Sequence, residues 1–255
     1  MNLRMQPDLA DTYKSPTQSV RVITEGWGAR ELYCAACNCD TLTRTPANTR
    51  AVDFRCPNCS CVYQLKSGKR LSNRIPDGQC DTMLRAINSD VVPNLLLLHY
   101  DADWCVKGLV LVPSFLLSPS AILRRRPLAP SARRPGWVGC IILLDMIPAE
   151  GRLTMVSGGS EVATAVVRSG YERVRPFSRL DVSVRGWALD VLRIAERVAT
   201  PEFRLSDVYA HEDELAGLHP ANNNIRPKIR QQLQVLRDAG LLEFVAKGAY
   251  RLVIR

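Results

Sequence analysis

A mixed α/β domain followed by a winged helix is the fold class that this 255-residue sequence predicts, and three observations predict it. Two Cys-x-x-Cys pairs stand close together near the N-terminus. Strand-length apolar runs bounded by Pro, Gly and Asp fill the middle of the chain, with helical segments between them. After residue 183 the apolar spacing becomes that of amphipathic helices, and the chain closes on two short apolar runs about a glycine turn.

Composition sets the bounds. The chain can bury one large core or two smaller ones, and 46% hydrophobic with 23% charged residues is a globular rather than a disordered balance. A net charge of +9 favours a polyanionic partner. Nine cysteines, an odd number with several at metal-ligand spacing, point to a reducing compartment rather than a disulfide framework. The N-terminus lacks an apolar signal core, and no apolar run approaches the roughly 20 residues that span a bilayer. A soluble, cytoplasmic protein is expected.

In chain order, Ser15 and Pro16 should open a helix that runs to about Glu25, where Gly26 and Gly28 interrupt it. Cys34, Cys37, Cys56 and Cys59 follow. Each short turn places two sulfurs on one side of a metal, and four thiolates with no open position suit a structural Zn²⁺ in a zinc ribbon. Cys39 and Cys61, two residues past each pair, are alternative ligands. A turn at 67–69 should lead to a helix over 77–88, and strands are expected at 95–100, 107–112, 137–144 and 152–156. Residues 157–182, irregular and Gly/Ser-containing, read as a linker, dividing a domain at 1–182 from one at 183–255. In the second, helices are expected at 186–198, at 205–215 and from Arg226-Pro227, where Ile225, Ile229, Leu233 and Leu236 form one stripe. Strands at 241–244 and 250–253 complete a winged helix.

Asp53 stands just before the second cysteine pair and Gln64 and Lys66 just after it. Alternation puts Gln64 and Lys66 on one face of a strand, so the zinc turn should join two neighbouring strands. A carboxylate facing an oxygen ligand and a lysine suits metal-assisted phosphodiester hydrolysis, with Asp53 and Gln64 holding Mg²⁺ and Lys66 orienting water and stabilising charge. A strand with a solvated Asp and Lys would carry the same letters.

Residues 124–137 hold Arg124, Arg125, Arg126, Arg133 and Arg134 among Pro127, Pro130 and Pro135, ending at Trp137. Such a stiff basic loop suits phosphate contacts and an apolar contact to bases, although a charge run is ordinarily a solvated surface and Trp137 would serve equally as core. Opposite the apolar stripe of the last helix, or near its start, lie Arg226, Lys228, Arg230, Gln231 and Gln234. Arg and Gln pair with guanine and adenine edges in a major groove. Winged helices also bind proteins, and from 183 to 255 there are 11 Lys/Arg against 9 Asp/Glu, so the module is nearly neutral, with four of its basic residues concentrated between Arg226 and Arg237.

Taken together, DTYK (11–14), the cysteine pairs around Asp53, RPLAPSARRPGWVGC (126–140), VRGW (184–187) and KIRQQLQVLRDAG (228–240) resemble the DpnI-like methyl-directed restriction endonucleases over nearly the whole chain. The resemblance implies an N-terminal PD-(D/E)xK nuclease domain with structural zinc and a C-terminal winged helix, both binding DNA. The implied substrate is double-stranded GATC carrying N6-methyladenine, cut with Mg²⁺. The family pattern has Glu where this chain has Gln64, which keeps an oxygen ligand but removes a charge. Two other classes stay open: a methyl-specific DNA-binding protein that does not cut, and a zinc-ribbon/winged-helix transcription factor.

Overall fold

The computed structural model describes residues 1–47, 49, 51–70, 72–199 and 202–253. Its elements run α1 (Pro16–Glu31), β1 (Thr43–Arg44), β2 (Phe54–Arg55), β3 (Val62–Gly68), β4 (Arg74–Gln79), α2 (Cys80–Asn88), β5 (Asn94–Tyr100), β6 (Val106–Val112), β7 (Ile122–Arg124) and β8 (Gly139–Leu143). There follow β9 (Leu153–Ser157), β10 (Ser160–Glu161), α3 (Thr164–Val174), α4 (Val182–Val198), β11 (Glu202–Arg204), α5 (Leu205–Tyr209), α6 (Glu212–Leu218), α7 (Ile225–Asp238), β12 (Leu242–Ala246) and β13 (Ala249–Leu252). The chain packs as two compact units, one made of residues 1–72, 93–114 and 152–172, the other of 73–92, 115–151 and 173–255.

The first unit is built on a seven-stranded sheet in the order β1-β2-β3-β5-β6-β9-β10. Its pairings are antiparallel except that of β3 with β5, where Gln64 lies beside Leu95 and Lys66 beside Leu97. Leu95, Leu96, Leu97 and Leu98 are all buried, as a continuous apolar run requires of a strand covered on both faces. Helix α1 lies close against the sheet: a β-carbon at Gly28 would come within 2.6 Å of the Phe54 ring. The expectation that Gly26 and Gly28 end this helix is therefore corrected. It continues to Glu31, and the two glycines are places of close approach, Gly26 to the Leu9 side chain and Gly28 to Phe54.

The second unit contains a three-stranded sheet, β4-β8-β7, with α2, and the winged helix. In the latter, α4 to α7 accompany the sheet β11-β13-β12, and Ile225, Ile229, Leu233 and Leu236 are buried as their spacing predicts.

Three other expectations are corrected. The helix expected at 77–88 begins only at Cys80, because Pro76 and Gly78 disfavour helix, the chain there runs as β4, and the Gln79 side chain caps the helix, accepting from Thr82 N at 2.8 Å. The linker expected at 157–182 contains β10, α3 and a 3-10 turn at Arg175–Arg179; Val167, Tyr171 and Val174 form a buried helical stripe that the surrounding Gly and Ser obscured. The helix expected at 205–215 is two, α5 and α6. The break falls at Ala210 and His211, where Glu212, Asp213 and Glu214 supply the acidic first turn that a new helix start favours. Among the described residues no helix is long and apolar enough to cross a membrane.

Candidate functional site

Strand β2 is only two residues long, so pairing with β3 ends early and Asp53 sits where the ladder stops. Its backbone N–H donates to Tyr63 O at 2.9 Å, and its Oδ2 accepts from Leu65 N at 2.7 Å. The aspartate thus grips the residues on either side of Gln64. Gln64 and Lys66 are half-buried and two apart on β3, hence on one face. Leu65 and Ser67, one residue out of phase, line a cleft of about 460 Å³ with Thr17, Arg21, Thr24 and Glu25 of α1. Burial raises the Asp53 carboxyl above the ordinary aspartate value, and the Leu65 hydrogen bond pulls the other way. The charge of Glu25 adds to the rise, while those of Arg21 and Lys66 oppose it. A carboxylate disfavoured by burial and by a like charge is one that a cation stabilises, and Gln64 lies between the two residues whose backbone Asp53 grips. The sequence flagged Asp53, Gln64 and Lys66; it gave no sign of Glu25 and its arginines, whose approach depends on how α1 meets the sheet.

The cysteines converge. Ligand atoms of Cys34, Cys37, Cys56 and Cys59 all lie within 4.8 Å of one another, with Cys34–Cys59 at 3.5 Å and Cys37–Cys56 at 3.6 Å. Four sulfurs at about 2.3 Å from a tetrahedral zinc are about 3.8 Å apart, so the donor set fits that metal. The two knuckles close alike: Cys34 N donates to Cys39 O and Cys56 N to Cys61 O. Cys39 turns its thiol to Thr41 O, whereas Cys61 stays within hydrogen-bonding reach of Cys34. Hydrogen bonds from Cys61, and from Tyr63, Cys59 and Cys37, pull the Cys34 thiol down to about 4 against the effect of burial. Arg168 on α3 ties down the first knuckle, donating to Cys34 O at 3.1 Å and Cys39 O at 3.0 Å, a clamp that no spacing rule announces.

In the second unit, the Arg-Pro segment is a closed loop. Arg125 N donates to Gly139 O, Leu128 N to Trp137 O and Gly136 N to Leu128 O, each at 3.0 Å. Arg125, Arg126, Arg133 and Arg134 are exposed, and Arg124, on β7, pairs with Asp81. Trp137 is half-buried and is not core: its indole lies over Gly139, 2.7 Å from where a β-carbon would stand.

On α7, Arg226, Arg230, Gln231 and Gln234 are exposed, and Lys228 is half-buried. Tyr209 organises two of them, receiving a hydrogen bond from Arg230 at 2.8 Å and lying under the Arg226 guanidinium, which also binds Glu212 at 2.7 Å. Neither Tyr209 nor Glu212 stands out in the sequence, since the helix break between them leaves no mark in the apolar spacing.

Residues 1–179 match the family described as the Dam-replacing family, DpnI, and residues 183–252 match its Dam-replacing HTH domain. The chain belongs to the DpnI family. Membership implies a methyl-dependent restriction endonuclease with DNA as its partner, and the mixed α/β core and C-terminal helix-turn-helix agree with it.

Proposed function

We propose that the protein cleaves double-stranded DNA at GATC sites carrying N6-methyladenine, by Mg²⁺-assisted hydrolysis in a PD-(D/E)xK-type site formed by Asp53, Gln64 and Lys66. The observation that carries this reading is the double attachment of Asp53 to the backbone of Tyr63 and Leu65, on either side of Gln64, with the Lys66 charge in electrostatic reach of the carboxylate in a DpnI-family chain. Asp53 and the Gln64 carbonyl oxygen would hold the ion. When bound, Mg²⁺ supplies Lewis-acid polarisation of the phosphate and an acidified water. Lys66 stabilises the charge that develops on the phosphate and orients the attacking water. Zinc on Cys34, Cys37, Cys56 and Cys59 is structural, since all four positions are taken by thiolates.

Recognition divides at about residue 183. The winged helix presents Arg230, Gln231 and Gln234 to a major groove, with Arg226 and Lys228 on phosphates. In the nuclease portion, Arg124, Arg125, Arg126, Arg133 and Arg134 contact the backbone and Trp137 meets the adenine methyl groups. One observation favours a second reading, a methyl-specific DNA-binding protein without cleavage: Gln64 leaves the cation site one charge short. Plasmid prepared from adenine-methylating and non-methylating hosts, incubated with Mg²⁺, decides between them. The nuclease cuts only the methylated plasmid; retention of methylated DNA without cutting establishes the second reading.

A further inference from the structure

We infer that Arg21 and Arg44, braced by the buried carboxylate of Glu25, form a clamp for a DNA backbone phosphate beside Asp53. This rests on the nuclease reading above and adds a substrate-positioning element to the same site.

Glu25 is 6% exposed, and a charge at that depth persists only when paired. It is paired twice. Arg21, four residues earlier on α1, donates through Nε to Oε1, and Arg44, from β1, donates through Nη2 to Oε2 at 2.6 Å. One arginine would neutralise the carboxylate; the second leaves an uncompensated positive charge. Both arginine side chains remain about half exposed, 48% for Arg21 and 46% for Arg44. A guanidinium carries five N–H donors, so a fork remains on each after Glu25 is satisfied. That fork matches two oxygens of a phosphate.

The position points the same way. Arg44 immediately precedes Thr45, whose N–H donates to Asp53 O at 3.0 Å, and the charges of Arg21 and Glu25 both reach the Asp53 carboxyl. Arg21 and Glu25 line the cleft that Leu65 and Ser67 close from the strand side. Counting Arg21 and Arg44 against Glu25, the triad by itself carries one net positive charge. A simple Arg–Glu pair would be neutral, whereas the second arginine makes this group cationic. Such a group favours an anion, and Glu25 holds both arginines in place before it arrives, so little side-chain freedom is lost on binding.

The test uses the full chain and a methylated GATC duplex. Binding is measured without divalent metal over a range of salt, and single-turnover cleavage is measured with Mg²⁺. Arg21→Gln and Arg44→Gln should each lower the slope of log affinity against log salt by about one, as expected when one phosphate contact is lost. Each should also slow cleavage by roughly tenfold or more, with melting temperature and zinc content unchanged. Arg21→Lys should keep the slope, and Glu25→Gln should keep it yet slow cleavage, because the cations remain but their orientation is lost. If Arg21→Gln and Arg44→Gln both retain the wild-type slope and rate, the triad only braces the fold and the clamp is overturned. Arg44 is exposed, so its variant decides the matter even if Glu25→Gln does not fold. A wild-type chain that binds but never cuts would sink the nuclease reading and leave the slopes to decide the clamp.

Discussion

The backbone N–H of Leu65 donates to Oδ2 of Asp53 at 2.7 Å, a bond made because β2 has already ended and the edge of β3 would otherwise go unpaired. The catalytic candidate is thus held by a hydrogen bond that a neutral amide also makes. Asp53→Asn should therefore fold normally and bind DNA while losing cleavage, and Asp53→Ala should lose cleavage together with some local order. Gln64→Glu should keep or raise activity and lower the Mg²⁺ concentration needed, by restoring a full charge. Titrating Mg²⁺ in a cleavage assay reads both effects, and normal cutting by Asp53→Ala would show that the site lies elsewhere.

The second knuckle is the connection between β2 and β3, so zinc and the candidate site share one piece of chain. Elemental analysis should find one zinc per chain. Chelation, or Cys56→Ser, should release the metal and abolish cleavage through loss of the Asp53–Leu65 register, visible as increased amide exchange at 62–66. Fully active protein devoid of zinc would exclude this.

In the winged helix, Glu214 on α6 accepts from Arg193 at 2.7 Å and Arg197 at 2.6 Å, both on α4. Burial alone would raise its carboxyl, but the hydrogen bonds and charges of Arg197 and Arg193 together outweigh burial and hold it below the usual glutamate range. A depressed folded-state value means stability that is fully present above the unfolded value and is lost as pH falls through the folded one. Acidification should accordingly destabilise the α4–α6 contact, and Glu214→Gln should lower the melting temperature at neutral pH but make no difference at the acid end. A mutant deficit that is constant with pH would contradict the assignment.

What could be read from the sequence was what local spacing encodes. The cysteine pairs converge and the Ile225–Ile229–Leu233–Leu236 stripe is buried, because both follow from turns and helix periodicity within a few residues. Asp53 reaches the backbone on either side of Gln64 because a short hairpin joins β2 to β3. The triad of Arg21, Glu25 and Arg44 was not legible, since its members come from a helix and a strand whose approach is set by Gly28 against Phe54. Helix α3 was missed for a different reason: its glycine at 170, which reads as irregular chain, stands where a β-carbon would press to 3.0 Å from Leu153.

On α7 the exposed Gln231 and Gln234 stand one helical turn apart, beside an Arg230 steadied by Tyr209. If they meet base edges, Gln231→Ala or Gln234→Ala should cost about 1–3 kcal/mol of discrimination between methylated GATC and a mismatched duplex. Tyr209→Phe should weaken binding less, since it frees Arg230 without removing its charge. Competition binding at fixed salt measures this; equal affinities for matched and mismatched duplexes in wild type would return the domain to a protein-contact role.

The demand for methylation is the harder requirement, because the methyl on adenine N6 is small. Burying it is worth about 0.8 kcal/mol, about a fourfold preference, so two methyls of a palindrome seen by one aromatic surface would multiply to roughly sixteenfold. Trp137 is the candidate for such a role: it is half-buried, and the absence of a β-carbon at Gly139 leaves room for its indole. Gly139→Ala should lift the ring and weaken the preference for methylated DNA almost as far as Trp137→Ala does, while neither changes zinc content and Trp137→Ala costs little thermal stability. Cleavage rates on methylated and unmethylated GATC, compared for the two variants, carry the decision. If either variant keeps the full preference, the methyl groups are sensed by some other surface; if Trp137→Ala loses stability in step with activity, the indole is a support and not a reader.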